Sequence, residues 1–529
     1  IRTEFKEKNI VLLHGITSSG KTEVYIHLIR ENLEQGKQVL YLLPEIALTA
    51  QIINRLRNVF GNAVGVYHSR FSDAERVEIW KNLLQEGNAE KYQVILGVRS
   101  SLFLPFKNLG LIIVDEEHEN TYKQYDPAPR YHARDTAIML AGFHGAKVLL
   151  GTATPSLESY FNSLIKKYAR IELNHRYKNL ELPEIIIADT RKARKKKQMK
   201  SLFTPQLFES IEEALKNKEQ IILFQNRRGF APYLECEVCG WIPKCDYCDV
   251  SLTYHKHFNQ MVCHYCGYVY HNISTCRACG STAMATKGFG TEKIEDEIKL
   301  LLPQAKAARM DLDAARSKKS YHNIISAFET GQVDILIGTQ MITKGLDFDN
   351  VSVVGILNAD NMLNFPDFRA CERSFQLMAQ VSGRAGRKYK RGRVFIQTGM
   401  PQHPVIRDII NNNYADRASV ELAQRQKFKY PPFFKLTTLL FKHKNKDIVS
   451  KGAGVAATEL KKIFGTRVLG PEFPYISRVQ NLYIKKIILK IEREKSHTKS
   501  KALIRSVISK LSAHKDLKSL VISIDVDPL

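Results

Sequence analysis

A glycine-rich run near the start of the chain has the spacing of a phosphate-binding loop. Gly15-Ile-Thr-Ser-Ser-Gly-Lys-Thr22 fits the pattern G-x-x-x-x-G-K-[ST], between an apolar run and a helical pattern. In such loops backbone N–H groups turn toward phosphate oxygens, the lysine reaches the β- and γ-phosphates, and the last hydroxyl ligates Mg²⁺. We therefore expect ATP and Mg²⁺ to be bound by a set of loop residues: Gly15, Ser18, Ser19, Gly20, Lys21 and Thr22.

An acidic group follows a second apolar run. Leu109-Gly-Leu-Ile-Ile-Val leads directly into Asp115-Glu116-Glu117-His118. Asp115 is expected to hold Mg²⁺, mostly through water, and Glu116 to orient and deprotonate the attacking water. Alone, such a cluster is also typical of a loop that caps a helix, but the phosphate loop upstream favours the catalytic interpretation.

The second half of the chain carries basic residues of the kind that close on a nucleotide. Gln380-Val-Ser-Gly-Arg384-Ala-Gly-Arg387 places two arginines three residues apart, which on one helix turn would face the same way. Guanidinium groups so arranged can clamp a γ-phosphate supplied by another lobe, although a solvated basic helix face is the alternative. We assign catalytic roles to Gln380, Arg384 and Arg387, and nucleotide contacts to Gly345 and Asp347.

Eight of the nine cysteines lie close together and form four C-x-x-C pairs. Two such pairs complete one tetrahedral four-sulfur zinc site, so eight thiolates predict two closed structural Zn²⁺ sites. Disulfides and iron–sulfur ligation are the alternatives, and the spacing leaves open which pairs share an ion. Cys371 is expected to be an ordinary buried thiol. The predicted ligands are Cys236, Cys239, Cys245, Cys248, Cys263, Cys266, Cys276 and Cys279.

These residues need strands and helices that position them. Short apolar runs alternate with helical patterns in both halves, which predicts two α/β lobes with parallel sheets. We place the first lobe at 1–190, a basic linker at 191–200 and the second lobe at 201–400. The zinc-binding insertion at 232–285 interrupts the second lobe, and an α+β domain at 401–529 ends the chain.

Charge is the unusual feature of the composition. The 529 residues carry 79 Lys and Arg against 54 Asp and Glu, a net charge of +25. Such an excess suits a polyanionic partner, either nucleic acid or an anionic membrane surface. Neither a membrane-spanning run nor a signal peptide is visible. The chain begins without Met, so we expect it to be a fragment.

Taken together, the motifs resemble those of superfamily 2 helicases. The segments that carry this resemblance are the phosphate loop, Asp115–His118, Gly151-Thr-Ala-Thr-Pro155 and Gln380–Arg387. Paired C-x-x-C motifs after Asn226-Arg-Arg-Gly-Phe230 narrow the resemblance to the bacterial primosomal replication-restart helicases. Further matching segments are Tyr131–Asp135, Pro366–Ala370, Tyr430–Phe433 and Asp525–Pro528.

The resemblance implies two RecA-like lobes and an ATP-dependent 3′-to-5′ DNA helicase that remodels stalled or collapsed forks and initiates primosome assembly. Its nested pairing would put Cys236, Cys239, Cys276 and Cys279 on one zinc and the inner four cysteines on the other. An aromatic-rich loop, here 120–131 with Tyr122, Tyr125 and Tyr131, would stack on unpaired bases. The C-terminal domain would bind DNA, with Arg478, Tyr483 and Lys485 as candidate contacts.

The resemblance also sets expectations about partners. Forked and single-stranded DNA, primosome proteins and single-stranded-DNA-binding protein are the expected partners of a cytoplasmic, nucleoid-associated monomer that does not bind membranes. Family members carry an N-terminal DNA-binding region that we expect to be absent here. Another superfamily 2 duplex translocase or an RNA helicase is the alternative function, and a zinc scaffold with an inactive ATPase is a third.

Overall fold

The structure is a computed structural model that describes residues 1–44, 50–68, 71–84, 92–176, 180–226, 233–239, 241–247, 250–255, 260–263, 268–271, 275–287, 290–311, 314, 318–343, 348–365, 367–386 and 391–528. The chain divides into two compact units. The first comprises Ile1–Asn226 and Lys293–Ala418, and the second comprises Arg227–Glu292 and Ser419–Leu529. Within the described residues, no helix is both long and apolar enough to cross a membrane.

The first lobe is built on a parallel sheet, as predicted. In chain order its described strands are β1 (Ile10–Gly15), β2 (Gln38–Leu42), β3 (Val64–Tyr67), β4 (Val94–Gly97), β5 (Leu109–Asp115), β6 (Lys147–Thr152) and β7 (Ala169–Leu173). They lie in the order β3-β4-β2-β5-β6-β1-β7. Alternate residues face two separate buried clusters, with Leu12 in one and Val11 and Leu13 in the other. The sheet is therefore covered on both faces, as parallel sheets require.

The order of the strands brings the candidate catalytic residues of this lobe together at the carboxyl ends of the strands. β5, β6 and β1 are neighbours, and Gly151 pairs with both Leu13 and Asp115. The carboxyl ends of these strands therefore lie side by side. The helices of this lobe are α1 (Arg2–Glu7), α2 (Lys21–Glu34), α3 (Ala50–Phe60), α4 (Asp73–Leu84), α5 (Ala133–His144) and α6 (Leu157–Leu164).

The second lobe has its own parallel sheet, drawn from both sides of the cysteine-rich region. The strands of this sheet are β8 (Glu184–Asp189), β9 (Gln220–Phe224), β15 (Ala307–Met310), β16 (Ile335–Gly338), β17 (Val351–Ile356) and β18 (Arg393–Thr398). The strands between β9 and β15 in the chain belong to the cysteine-rich region: β10 (Tyr233–Cys236), β11 (Thr253–His255), β12 (Gln260–Val262), β13 (Val269–His271) and β14 (Met284–Lys287). The sheet order is β15-β16-β9-β17-β18-β8. Because β8 pairs with β18, the second lobe begins before residue 190, where sequence analysis placed the boundary.

The basic segment predicted as a linker contains a helix. Thr190–Lys195 is helical, and the Asp189 side chain caps it by accepting a hydrogen bond from the N–H of Lys192. In chain order the helices of the second lobe and its C-terminal extension are α7 (Thr190–Lys195), α8 (Pro205–Lys216), α9 (Thr291–Leu301), α10 (Lys318–Glu329), α11 (Asp360–Leu363), α12 (Ala370–Ser382), α13 (Pro404–Ile410) and α14 (Tyr414–Lys427).

The second unit combines the cysteine-rich region with an antiparallel C-terminal domain. β10 pairs with β14, and β11, β12 and β13 form a small meander. The C-terminal strands are β19 (Phe434–His443), β20 (Val468–Glu472), β21 (Arg478–Val479), β22 (Leu482–Glu492) and β23 (Val521–Val526), with helices α15 (Lys446–Phe464) and α16 (His497–Ala513). A buried cluster formed by both helices and one face of the sheet includes Phe441, Leu460 and Ile487. The predicted α+β character is confirmed.

Candidate nucleotide and metal sites

The phosphate loop runs from the end of β1 into the first turn of α2. Gly20 has φ of 87° and precedes the helix, a conformation that favours glycine. A Cβ on Gly15 would lie 2.7 Å from Ser19 Oγ, so only glycine fits there without displacing its neighbours. Lys21 Nζ donates to the carbonyl oxygen of Gly15 at 2.7 Å, which holds the ammonium group over the loop. Ser19 Oγ is buried without a hydrogen-bond partner among the described residues.

Asp115 ends β5 beside this loop. Its carboxylate accepts hydrogen bonds from the hydroxyls of Tyr25 at 3.0 Å and Tyr41 at 3.2 Å. Burial, and then the nearby charge of Glu116, raise the pKa of Asp115 to about 6. A bound cation opposes that shift, which makes this carboxylate a suitable anchor for a hydrated metal ion.

Glu116 has a backbone conformation that is unusual for its residue type. Its φ is 49°, in the left-handed region that side chains other than glycine rarely adopt. Its Oε2 is buried, has no hydrogen-bond partner among the described residues and lies 3.7 Å from Nδ1 of His118. His118 Nδ1 lies 2.7 Å from Thr152 Oγ1 at the end of β6. A carboxylate oxygen held in this way is suited to accept a proton from water.

Sequence analysis assigned no role to Glu117, the third acidic residue. It is fully buried and accepts hydrogen bonds from Arg134 Nη1 at 3.0 Å and from the backbone N–H of Ser156 at 2.6 Å. The hydroxyls of Ser156 and Ser159 also donate to it, at 2.9 and 2.7 Å. Glu117 therefore fixes the loop after β6 to the acidic group. Its signal in the sequence was two of the matching segments further along the chain: Tyr131–Asp135, which contains Arg134, and Gly151–Pro155, which ends just before Ser156.

The loop after β6 also contacts the second lobe. The carbonyl oxygen of Pro155 accepts hydrogen bonds from Tyr414 Oη at 2.8 Å and from Gln376 Nε2 at 3.1 Å. The N–H of Leu157 donates to Glu372 Oε1 at 2.9 Å. Helix α12 is thus bound to the first lobe close to its N-terminus. No local pattern predicted these partners, since Pro155 lies far along the chain from each of them.

The other end of α12 carries the candidate arginine group. The helix ends at Ser382, so Arg384 lies in the turn that follows and not on a helix, which corrects its predicted position. We call the described residues Gly383–Gly386 the arginine turn. A Cβ on Gly383 would lie 2.5 Å from Thr17 Oγ1, which means that the turn packs directly on the phosphate loop.

Of the second-lobe candidates, two are described. Arg384 is buried, and so is Gln380, whose Nε2 has no hydrogen-bond partner among the described residues. The predicted residues Arg387, Gly345 and Asp347 lie outside the described residues.

The aromatic segment after the acidic group only partly matches expectation. Tyr122 is fully buried, and its hydroxyl lies 2.6 Å from the carbonyl oxygen of Asp115 and 3.1 Å from that of Leu42, so its ring is not placed to stack on bases as predicted. Tyr125 is 48% exposed. Tyr131 packs edge-on against Phe103 with ring centres 5.1 Å apart, beside a cavity of about 180 Å³.

Four cysteines of the second unit converge. The Sγ atoms of Cys236, Cys239, Cys276 and Cys279, which we call the outer cluster, all lie within 4.8 Å of one another. The Sγ atoms of Cys236 and Cys279 are 3.6 Å apart, and those of Cys239 and Cys276 are 3.5 Å apart. Thiolates at about 2.3 Å from a tetrahedral zinc ion would be about 3.8 Å apart. The outer cluster therefore fits zinc.

The other four predicted ligands are described in part. Cys245 and Cys263 are buried in one small cluster, whereas Cys248 and Cys266 lie outside the described residues. The backbone nevertheless repeats one turn at all four C-x-x-C pairs. In each, the N–H of the first cysteine donates to the carbonyl five residues later, at 2.8–3.0 Å. The inner C-x-x-C pairs therefore have the same backbone turn as the outer pairs.

Comparison with known families first identifies the class of protein. Residues 2–162 match the family model described as DEAD/DEAH box helicase, and residues 284–389 match Helicase conserved C-terminal domain. The two lobes with parallel sheets agree with these two matches. The class is therefore that of two-lobed helicases.

Two further matches identify the family. Residues 245–269 match the PriA DNA helicase Cys-rich region domain, and residues 426–529 match the Primosomal protein N C-terminal domain. The replication restart protein PriA of Haemophilus influenzae is 38% identical over 522 residues, which cover 98% of this chain and 70% of that protein. The chain belongs to the PriA family of replication restart proteins.

Other relatives agree. The replication restart protein PriA of Bacillus subtilis is 40% identical over 524 residues, 99% of this chain. That of Rickettsia felis is 38% identical over 518 residues, 98% of this chain and 78% of the relative. The chain spans 64% of the length of the Bacillus protein.

Proposed function

We propose that the chain hydrolyses ATP between its two lobes. Lys21, Thr22 and the amides of the phosphate loop bind the phosphates from one side, together with Gly15, Ser18, Ser19 and Gly20. Glu116 accepts the proton of the attacking water. The observation that carries this proposal is the packing of the arginine turn on the phosphate loop, at Gly383 and Thr17.

Mg²⁺ is the expected cofactor of this site. Asp115 would hold it through water and Thr22 directly, and a bound Mg²⁺ neutralises charge that develops on the transferred phosphoryl group. Ser19 Oγ and Glu116 Oε2, which are buried without a hydrogen-bond partner in the described part of the chain, support a site built to receive polar groups. Gln380, Arg384 and Arg387 act from the second lobe, and Gly345 and Asp347 contact the nucleotide.

The polymer that stimulates hydrolysis is DNA in this proposal. Residues 401–529 hold 25 Lys and Arg against 11 Asp and Glu, a charge suited to phosphate contacts. The chain acts as a 3′-to-5′ DNA helicase on forked and single-stranded DNA, remodels stalled or collapsed forks and initiates primosome assembly. Alternation between open and closed lobes moves the DNA with each ATP consumed.

The cysteine-rich region holds two structural zinc ions. The outer cluster binds one, and Cys245, Cys248, Cys263 and Cys266 bind the other. The identical backbone turn at all four pairs supports the second site. Primosome proteins and single-stranded-DNA-binding protein are the proposed partners of a cytoplasmic, nucleoid-associated monomer. Its second lobe begins with β8 and contains the zinc-binding insertion at 232–285, and a DNA-binding domain follows at 401–529.

The test is ATP hydrolysis alone and with single-stranded DNA, forked DNA or an RNA duplex, followed by unwinding of DNA with either a 3′ or a 5′ tail. Strong stimulation by DNA and unwinding from a 3′ tail are expected. Stimulation by RNA alone would contradict the DNA assignment. Absence of hydrolysis under all conditions would contradict the ATPase.

A further inference from the structure

A buried arginine lies in the segment that connects the two sheets. Arg176 comes after β7, in the first sheet, and before β8, in the second, and is 3% exposed. Its Nε donates to the carbonyl oxygen of Thr17 at 3.2 Å. Its Nη1 donates to the carbonyl oxygens of Gly386 and Glu181, both at 3.0 Å.

The first two carbonyls belong to opposite sides of the candidate nucleotide site. Thr17 lies within the phosphate loop, and Gly386 lies in the arginine turn, two residues after Arg384. Gly383, at the start of the same turn, packs on Thr17. One guanidinium group therefore joins the loop expected to hold the phosphates to the turn expected to stabilise the transition state.

The chemistry of the side chain suits such a bridge. A guanidinium group is planar, remains charged at every relevant pH and presents its donors at fixed angles. Donors fixed in this way set the spacing of the two carbonyl oxygens that they bind. The ammonium group of a lysine is a point charge on a flexible stem and does not impose that spacing.

We propose that Arg176 is a positioning residue that sets the separation between the phosphate loop and the arginine turn in the closed enzyme. The three hydrogen bonds described above all go to backbone carbonyl oxygens, so we assign it a positioning role and not a catalytic one. The proposal rests on the proposed ATPase function and adds the residue through which the segment between the lobes controls their alignment. Loss of the bridge then misplaces Arg384 relative to a phosphate held by Lys21.

The test compares Arg176→Lys with a matched control, Arg391→Lys. Arg391 also donates to a carbonyl of the connecting segment, that of Leu182 at 2.9 Å, and pairs with the Glu181 carboxylate at 3.3 Å, but it is exposed. In Arg176→Lys we expect the DNA-stimulated kcat to fall about tenfold, with KM for ATP within about twofold of wild type. The control is expected to keep the wild-type kcat.

A second readout separates this proposal from the ATPase proposal. The rise in melting temperature caused by ADP, and by a non-hydrolysable ATP analogue, is measured for each protein. Arg176→Lys is expected to keep the ADP-induced rise and to lose most of the extra rise caused by the analogue, which engages both lobes. If the wild type responds to neither nucleotide, the ATPase proposal fails before Arg176 is considered.

Two results would overturn the role of Arg176. One is a folded Arg176→Lys protein with wild-type kcat and a wild-type response to the analogue. The other is an equal loss in Arg391→Lys, which would indicate that any disturbance of the connecting segment has this effect. If Arg176→Lys melts below the assay temperature, Arg176→Gln is measured in the same way, and wild-type kcat in that folded variant would likewise reject the role.

Discussion

The candidate nucleotide site and the outer cysteine cluster are held in place by different means. Lys21 lies just after β1 and Asp115 is the last residue of β5, and the apolar residues of both strands are buried in two large clusters. The apolar cluster described in the cysteine-rich region has five buried members, and two of them, Cys245 and Cys263, are predicted ligands. Cys239 and Cys279 of the outer cluster are exposed. The hydrophobic core positions the nucleotide site before any ligand binds, whereas the outer cluster depends on its zinc ion.

Metal removal should separate the two regions most strongly. A structural zinc site is worth about 10–16 kcal/mol in small zinc-binding peptides, so chelation or Cys236→Ser should unfold the region around the outer cluster. Loss of zinc by mass spectrometry and loss of amide protection at 233–287 would report this. Hydrolysis without DNA should stay within about twofold of wild type, and Cys371→Ser should keep its zinc. If basal hydrolysis were lost together with the zinc, the nucleotide site would not be held independently of the cysteine-rich region.

Lys21→Ala should have the opposite pattern. Removing a cation positioned on the phosphates should lower ATP hydrolysis about a thousandfold or more. Zinc content and DNA binding should not change, because Lys21 contributes to neither. Lys192→Ala, on the exposed side of α7, is the control. Retained turnover in the Lys21 variant would refute the assignment of the phosphate loop.

Glu117→Gln tests whether the buried network supports the nucleotide site. Glutamine keeps the shape but removes the charge that pairs with Arg134, and it cannot accept all the hydrogen bonds that Glu117 receives. We expect the first unit to lose about 3 kcal/mol of stability to chemical denaturation. Glu209→Gln, exposed on α8, should change stability by less than about 0.5 kcal/mol. A stable Glu117 variant would mean that the network is dispensable.

The smallest effect is expected at the contact between Pro155 and Tyr414. Tyr414→Phe removes one hydrogen bond to the Pro155 carbonyl but keeps the ring against His14 and Tyr160. Because this change loses one neutral hydrogen bond between the lobes, we expect the DNA-stimulated kcat to fall about threefold. Tyr160→Phe keeps the same ring contact and should be silent. Equal losses in both variants would assign the effect to ring packing.

The sequence predicted what depends on local pattern. The phosphate loop, the strand that ends at Asp115 and the parallel arrangement of both sheets follow from spacing and apolar periodicity over a few residues. The convergence of the outer cluster had been suggested by family resemblance alone, because the spacing of the pairs does not fix which of them meet.

What the sequence missed depends on contacts between distant segments. Arg176, Glu372 and Tyr414 acquire their roles from partners on another lobe, which no local pattern encodes. Tyr122 was misjudged because a tyrosine in a loop can be buried whenever its hydroxyl finds a partner, here the carbonyl oxygen of Asp115. Arg384 was expected on a helix, but α12 ends at Ser382 and Gly383, in the turn that follows, packs against Thr17 of the other lobe.

The pairing of β10 with β14 has an evolutionary consequence. Tyr233 lies opposite Lys287, so the cysteine-rich region begins and ends on adjacent antiparallel strands. Because the two ends already meet, residues can be added or lost between them without any change in the distance that the flanking chain must span. Over evolution this region can therefore grow, shrink or be replaced while the second-lobe strands that precede and follow it in the chain keep their pairing.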